Sequence, residues 1–129
     1  PRVLIKPGLI GHEEFRDLMC AADFIVNDAF QYLGSAVIRV ALEYGTPVIA
    51  SGFGCTSDIA KGAYIPIGAG EGGLDRALET ALKLPADEYE RMVENAGLRH
   101  QERPWSAYAA GCVDVYRRTI AAASERAAS

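Results

Sequence analysis

Residues 22–51, ADFIVNDAFQYLGSAVIRVALEYGTPVIAS, read as strand, polar loop, helix and strand, and the remaining chain is organised around them. Phe24-Ile25-Val26 is a short apolar run rich in β-branched residues, which suits a strand covered on both faces and therefore a parallel sheet flanked by helices. The loop that leaves it carries Asn27, Asp28 and Gln31 and closes on Gly34 and Ser35. Ser35 is placed to cap the next helix, because its hydroxyl can accept from a first-turn amide that has no partner inside the helix. Ala36, Val37, Ile38, Val40, Ala41 and Leu42 make that helix apolar on several sides, which predicts burial. Gly45 ends it in the left-handed conformation, and Pro47-Val48-Ile49-Ala50 begins the next strand. A helix amino end behind a glycine and a polar loop, at the carboxyl end of a parallel strand, is where such sheets bind anions or nucleotides.

Outward from that stretch, the chain alternates strand and helix and then closes with helices, the pattern of an α/β fold with a parallel sheet of about four strands. Arg2 to Lys6 reads as a first strand stopped by Pro7-Gly8; being apolar, it asks for a partner to cover it. Phe15, Leu18, Met19 and Ala22 recur at helical spacing behind Glu13 and Glu14, acids that favour a helix amino end. His12 at that entrance reads as an exposed neighbour of the cap rather than a catalytic base. The glycine-rich run 52–60 is either a flexible connection or a second wall of the pocket, with Thr56, Ser57 or Asp58 as cap.

Ala63 to Ile67 is a fourth strand, demoted to an edge by Pro66, which has no amide for a ladder. The loop Gly68 to Gly73 lacks the setting of a dinucleotide fingerprint. Leu74 to Leu82 reads as an amphipathic helix broken at Pro85, and a second helix from Asp87 stops at Gly97. Leu98 to Pro104 then reads as a loop with His100 solvated, and Ser106 caps a last helix that turns Trp105, Tyr108, Cys112, Tyr116 and Ile120 toward the sheet or a neighbouring domain rather than a stacked ligand, and frays beyond Ala121. One domain over 1–129 is expected, α/β in 1–84 and helical in 85–129.

Composition narrows the function. Half the 129 residues are apolar and 23% charged, the balance of a soluble globular domain. A net charge of -4 and a pI near 5.1 give no basic field for a nucleic acid backbone. No apolar run reaches membrane-spanning length and no signal peptide is legible. Cys20, Cys55 and Cys112, far apart and without ligand spacing, read as buried free thiols of a cytoplasmic protein, not as disulfides or a metal site. A start at Pro1 implies processing, trimming or an excerpt of a longer chain.

In the order Val3 to Gly8, Ala22 to Val26, Gly45-Thr46-Pro47-Val48-Ile49, Gly54 with Asp58, and Trp105 to Tyr116, the sequence resembles the carboxyl-terminal domain of retaining GT-B glycosyltransferases of the group 1 type, almost end to end. The resemblance implies a Rossmann-like fold, half or more of such a domain, that binds a nucleotide-diphosphate sugar. It implies no cofactor and no metal. By resemblance Gln31 stands where the family has the glutamate that approaches the donor sugar, and Arg39, or Val40 in an alternative register, stands where it has the ribose-binding glutamate. Gly8, Asn27, Asp28, Gly34, Ser35 and Arg39 are the donor-binding candidates, Arg39 toward a phosphate because guanidinium only donates.

The family's earlier βαβαβ half and its acceptor-binding domain have no counterpart here, so the isolated chain is expected to be weakly active or inactive until another chain or segment completes it. A non-catalytic subunit or scaffold that pairs through the Val3–Ile5 strand is the alternative, and a flavodoxin-like receiver or small-ligand module a third.

Overall fold

The computed structural model describes residues 3–28, 35–52, 55–102 and 104–127. Among them the elements run α1 (His12–Ala21), β1 (Ile25–Asn27), α2 (Ala36–Glu43), β2 (Val48–Ser51), α3 (Thr56–Ile59), β3 (Tyr64–Ile67), α4 (Gly73–Leu82), α5 (Ala86–Glu102) and α6 (Trp105–Ala127). The three strands form one parallel sheet in the order β1-β2-β3, with Ile25 opposite Val48 and Val48 opposite Tyr64. The architecture is α/β, a parallel sheet flanked by helices.

Strand alternation sends β2 residues to opposite faces, and each face has its own core. Val48 and Ala50 pack with Ile38, Ala41 and Leu42 of α2, with Ala60 and Ala63, and with Ala96 of α5. Ile49 packs on the other face with Ile65, Ile67 and Ala77 of α4. All four residues of β2 are buried, as expected of a central parallel strand. Helix α5 reaches the amino ends of the outer strands. Asn95 Nδ2 donates to the Gly62 carbonyl at 3.1 Å, and Tyr89 Oη donates to the Asp23 carbonyl at 3.4 Å. Phe24 meets Tyr89 edge-on with ring centroids 5.5 Å apart. Burial, and then the Asp23 carboxylate, push the Tyr89 phenol above its ordinary value.

Several sequence expectations are corrected. Val3, Leu4 and Ile5 are not a strand but an irregular run at least 83% exposed, so the sheet has three strands among the described residues, not four. An extended segment that pairs with no edge gains neither ladder bonds nor burial, and the conformational entropy of ordering it goes uncompensated. Val26 is 46% exposed rather than covered. It shares the face of Ile49, where the covering helix α4 packs on β3, the far edge from β1.

Helix α5 does not stop at Gly97 but runs through Leu98 and His100 to Glu102. Gly97 keeps negative φ, Arg99 Nη1 pairs with Glu102 Oε2 at 2.6 Å, and basic residues in the last turn suit the helix dipole. The last described residue of α5 is Glu102. His100 is therefore half-buried rather than solvated.

The thiols form no disulfide among the described residues, but they are not buried. Cys20 is exposed, and Cys55 and Cys112 are half-buried. Cys112 lies on α6, a helix whose apolar side chains, Tyr108, Tyr116 and Ile120 among them, stand exposed rather than packed on the sheet. That helix starts at Trp105 with the Pro104 carbonyl as its first acceptor, so Ser106 is inside it, and it stays helical through Ala127. No helix among the described residues is long and apolar enough to cross a membrane.

Other features match their residues. Glu13 and Glu14 occupy the first turn of α1, Gly45 has φ +72°, and Pro66 lies on the edge strand β3. The buried Thr46 hydroxyl donates to the Met19 carbonyl at 3.0 Å, which ties α1 to the α2–β2 connection. Thr46→Val keeps the shape and removes the donor, so it is expected to lower stability by about 0.5–1.5 kcal/mol. Hydrogen exchange should show the loss concentrated in α1. Exchange in α1 that matches the parent would contradict that tie.

Candidate functional site at the carboxyl ends of the strands

The carboxyl ends of β1 and β2 bring Asn27 and Ser51 to one rim of the sheet, since Asn27 pairs with Ala50, the residue before Ser51. Ser51 and Thr56, the first residue of α3, are both buried there. Ser35 occupies the N-cap position of α2 in extended backbone, but its side chain makes no capping bond. Instead Asn27 Nδ2 donates to Ser35 Oγ at 2.6 Å. The hydroxyl thus ties the end of β1 to the start of α2. It holds the strand and the helix entrance in fixed relation and leaves the amides of the first turn directed out of the helix.

Asp28 follows Asn27 and is exposed, with both carboxylate oxygens able to accept from hydroxyls. At the neighbouring connection Cys55 is the N-cap residue of α3, and none of Thr56, Ser57 and Asp58 takes that position. Gln31 and Gly34, with Gly54 of that second connection, lie outside the described residues. Gly8 has φ +108° in the exposed run before α1, a run anchored to α1 by the Lys6–Glu14 ion pair.

Arg39 packs on aromatic rings from the start of α6. Its guanidinium carbon stands 5.3 Å from the ring centroid of Trp105 and 5.8 Å from that of Tyr108, rings that meet edge-on at 6.1 Å. One turn further along α2, Glu43 Oε2 accepts from Trp105 Nε1 at 3.3 Å. Arg39 and Glu43 therefore hold the start of α6 against α2, by cation–π attraction and a charge-assisted hydrogen bond.

Behind that contact lies a cavity of about 20 Å³ lined by Arg39, Leu42, Ile59, Arg99, His100 and Trp105. Arg99 Nε is buried, with no hydrogen-bond partner among the described residues. Leaving such a donor unsatisfied costs about 1–3 kcal/mol. Sequence reading missed this group because it placed residues 98–104 in a solvated loop. The legible signal was the i, i+4 pair Arg39 and Glu43 on one helix face with a tryptophan after Pro104.

Larger concavities lie elsewhere, a groove of about 360 Å³ at the amino end of β1 between Phe24, Leu82 and Tyr89, and one of about 520 Å³ along α6. The first is apolar and stands at the wrong end of a parallel sheet for ligand binding, and the second follows the side of a single helix. Among the described residues no group of histidines, cysteines and carboxylates could hold a metal ion. No protein-family model and no curated protein matches the chain.

Proposed function

We propose that the chain is a Rossmann-like donor-binding unit of a retaining group 1 glycosyltransferase of the GT-B type, and that it holds a nucleotide-diphosphate sugar at the junction of β1 and α2. The observation that carries this reading is the Asn27–Ser35 hydrogen bond at the carboxyl end of a parallel strand. It holds the entrance of α2, a helix of eight residues, at the place where diphosphates bind in open α/β sheets. The ordered sequence resemblance supports it independently.

In this reading the first-turn amides of α2, behind Gly34 and Ser35, receive the diphosphate. Asp28 accepts from sugar or ribose hydroxyls, and Gln31 takes the sugar-facing position. Arg39, with its guanidinium engaged by Trp105 and Tyr108, acts by anchoring α2 rather than by touching the donor. Gly8 belongs to the facing loop. Glycosyl transfer rests on positioning and on electrostatic stabilisation of the leaving diphosphate in a closed cleft. A chain that offers one wall therefore binds the donor but needs a completing segment or partner for turnover.

The exposure of Val3, Leu4 and Ile5 favours a second reading, a non-catalytic subunit that pairs with another chain over that run. Calorimetric titration with UDP, GDP, ADP and their glucose or mannose conjugates separates the two. The donor-binding reading expects saturable binding of one nucleotide, weakened about 10-fold by Asn27→Ala through loss of a hydrogen bond and its positioning. Gly34→Val should block approach to the helix amino end. Absence of binding to all of these ligands favours the subunit.

A further inference from the structure

We infer that α6 is the interface of a homodimer, in which its exposed apolar seam packs antiparallel on the same seam of a second copy. Ala109, Val113, Tyr116, Ile120 and Ala123 follow one another at alternating spacings of four and three, so they line one side of the helix. All five are exposed, with Val113, Tyr116 and Ile120 at 45%, 68% and 66%. The helix is 23 residues long, and such a helix gains most of its stability by packing an apolar face. The ring contacts and the hydrogen bond that tie α6 to α2 fall on Trp105 and Tyr108, in its first turn. Tyr108 lies about a quarter-turn round the helix from the seam, so α2 and a second α6 occupy different sides.

The side chains favour a second copy as the occupant. With the two-fold axis level with the gap between Asp114 and Val115, Ile120 lies opposite Ala109 of the second copy and Tyr116 opposite its Val113, so large side chains meet small ones. Antiparallel order also sends the two α/β bodies to opposite ends of the helix pair. The positions beside the seam, Ala110, Cys112, Thr119 and Ser124, are uncharged, and Arg117 falls near Ala110 of the second copy, so no like charges meet. Asp114 and Arg118 pair with each other at 2.6 Å on the far side of the helix and need no counter-charge from a foreign partner. Two-fold burial of the seam removes roughly 1,000 Å² from solvent, counting about 150–250 Å² for a whole aromatic side chain, which meets the lower bound of a specific interface and predicts a weak dimer.

The seam is separate from the β1–α2 junction, so dimerisation and donor binding stand or fall independently. Sedimentation equilibrium of the full chain from about 1 to about 500 μM is expected to show a reversible monomer–dimer system with Kd on the order of 10 μM. Ile120→Glu should raise that Kd at least about 10-fold, since it sets a carboxylate against Ala109 in the apolar seam. Ile120 is exposed in the single chain and glutamate is a good helix former, so the variant keeps its fold, which far-UV circular dichroism verifies. Asp114→Ser, on the far side, should leave Kd unchanged. Oxidation of a mixture of Ala109→Cys and Ile120→Cys chains, both with Cys20, Cys55 and Cys112 changed to serine, should join unlike chains rather than like ones. Monomer mass across the whole range, which would leave the seam to a different protein, a dimer indifferent to Ile120→Glu, or disulfides only between like chains overturns the proposal.

Discussion

Ile49→Ala is expected to lower the free energy of unfolding by about 2–5 kcal/mol, a large part of the 5–15 kcal/mol typical of a whole domain. Ile49 is 1% exposed at the centre of the middle strand and meets Ile65, Ile67 and Ala77. The size of the loss depends on how far the surroundings can close over the missing carbons. Here they are held, because Ile49 is in register with Val26 on one side and Ile65 on the other in two parallel ladders. A strand pinned from both edges cannot sink toward α4, so the upper part of the range applies. Urea denaturation should show a lower midpoint with an unchanged slope. A change under about 1 kcal/mol would mean that this face is not the packed core described above.

Gly73→Ala sets two effects of opposite sign against each other. Alanine favours helix over glycine by about 1 kcal/mol, and Gly73 is the first residue of α4, so propensity alone predicts a gain. A Cβ at this position, however, would stand 2.0 Å from the Gly68 carbonyl oxygen and 3.0 Å from its carbon. Both are backbone atoms, so relief requires the 68–72 turn or the start of α4 to move. That turn already holds Gly70 and Gly72 at positive φ. Overpacking of this kind typically costs about 1–3 kcal/mol. It also displaces Leu74 and Ala77 from Ile65 and Ile67.

The net expectation is a destabilised protein. Gly97→Ala, within α5 where an added Cβ meets nothing within 4 Å, is expected to raise stability by up to about 1 kcal/mol. Thermal melts of the pair should move in opposite directions. A Gly73→Ala protein at or above the parent would contradict the close approach of α4 to the turn.

The parts of the fold that were legible in sequence are those fixed by local chemistry. The β-branched run at Ile25 and Val26, the stop at Gly45, the buried Val48–Ala50 and the edge-marking Pro66 each carry a constraint that no distant residue needs to complete. The errors came where pairing decides. Val3 to Ile5 have strand chemistry, but a strand exists only against a partner, and sequence alone does not reveal which edge is open.

Gly97 was read as a stop although glycine is tolerated inside a helix at about 1 kcal/mol, and the Arg99–Glu102 pair and Ala96 packing outweigh that. At the site, Asn27 and Ser35 were legible as polar residues at a strand end and a helix start. That the serine would accept from the asparagine rather than cap the helix depends on how the end of β1 meets the start of α2. Arg39 was placed correctly on α2, but its aromatic partners were not legible because they lie beyond Pro104 at the far end of the chain.

Backbone amide mapping by NMR tests the central claim most directly, with UDP, GDP and ADP added one at a time to the labelled chain. The account predicts that one of them shifts the amides of Ser35, Ala36 and Val37 in the first turn of α2, together with the Asn27 side-chain amide, and leaves α5 and α6 unmoved. Shifts confined to other elements, or none with any of the three nucleotides, would contradict a donor site at the β1–α2 junction.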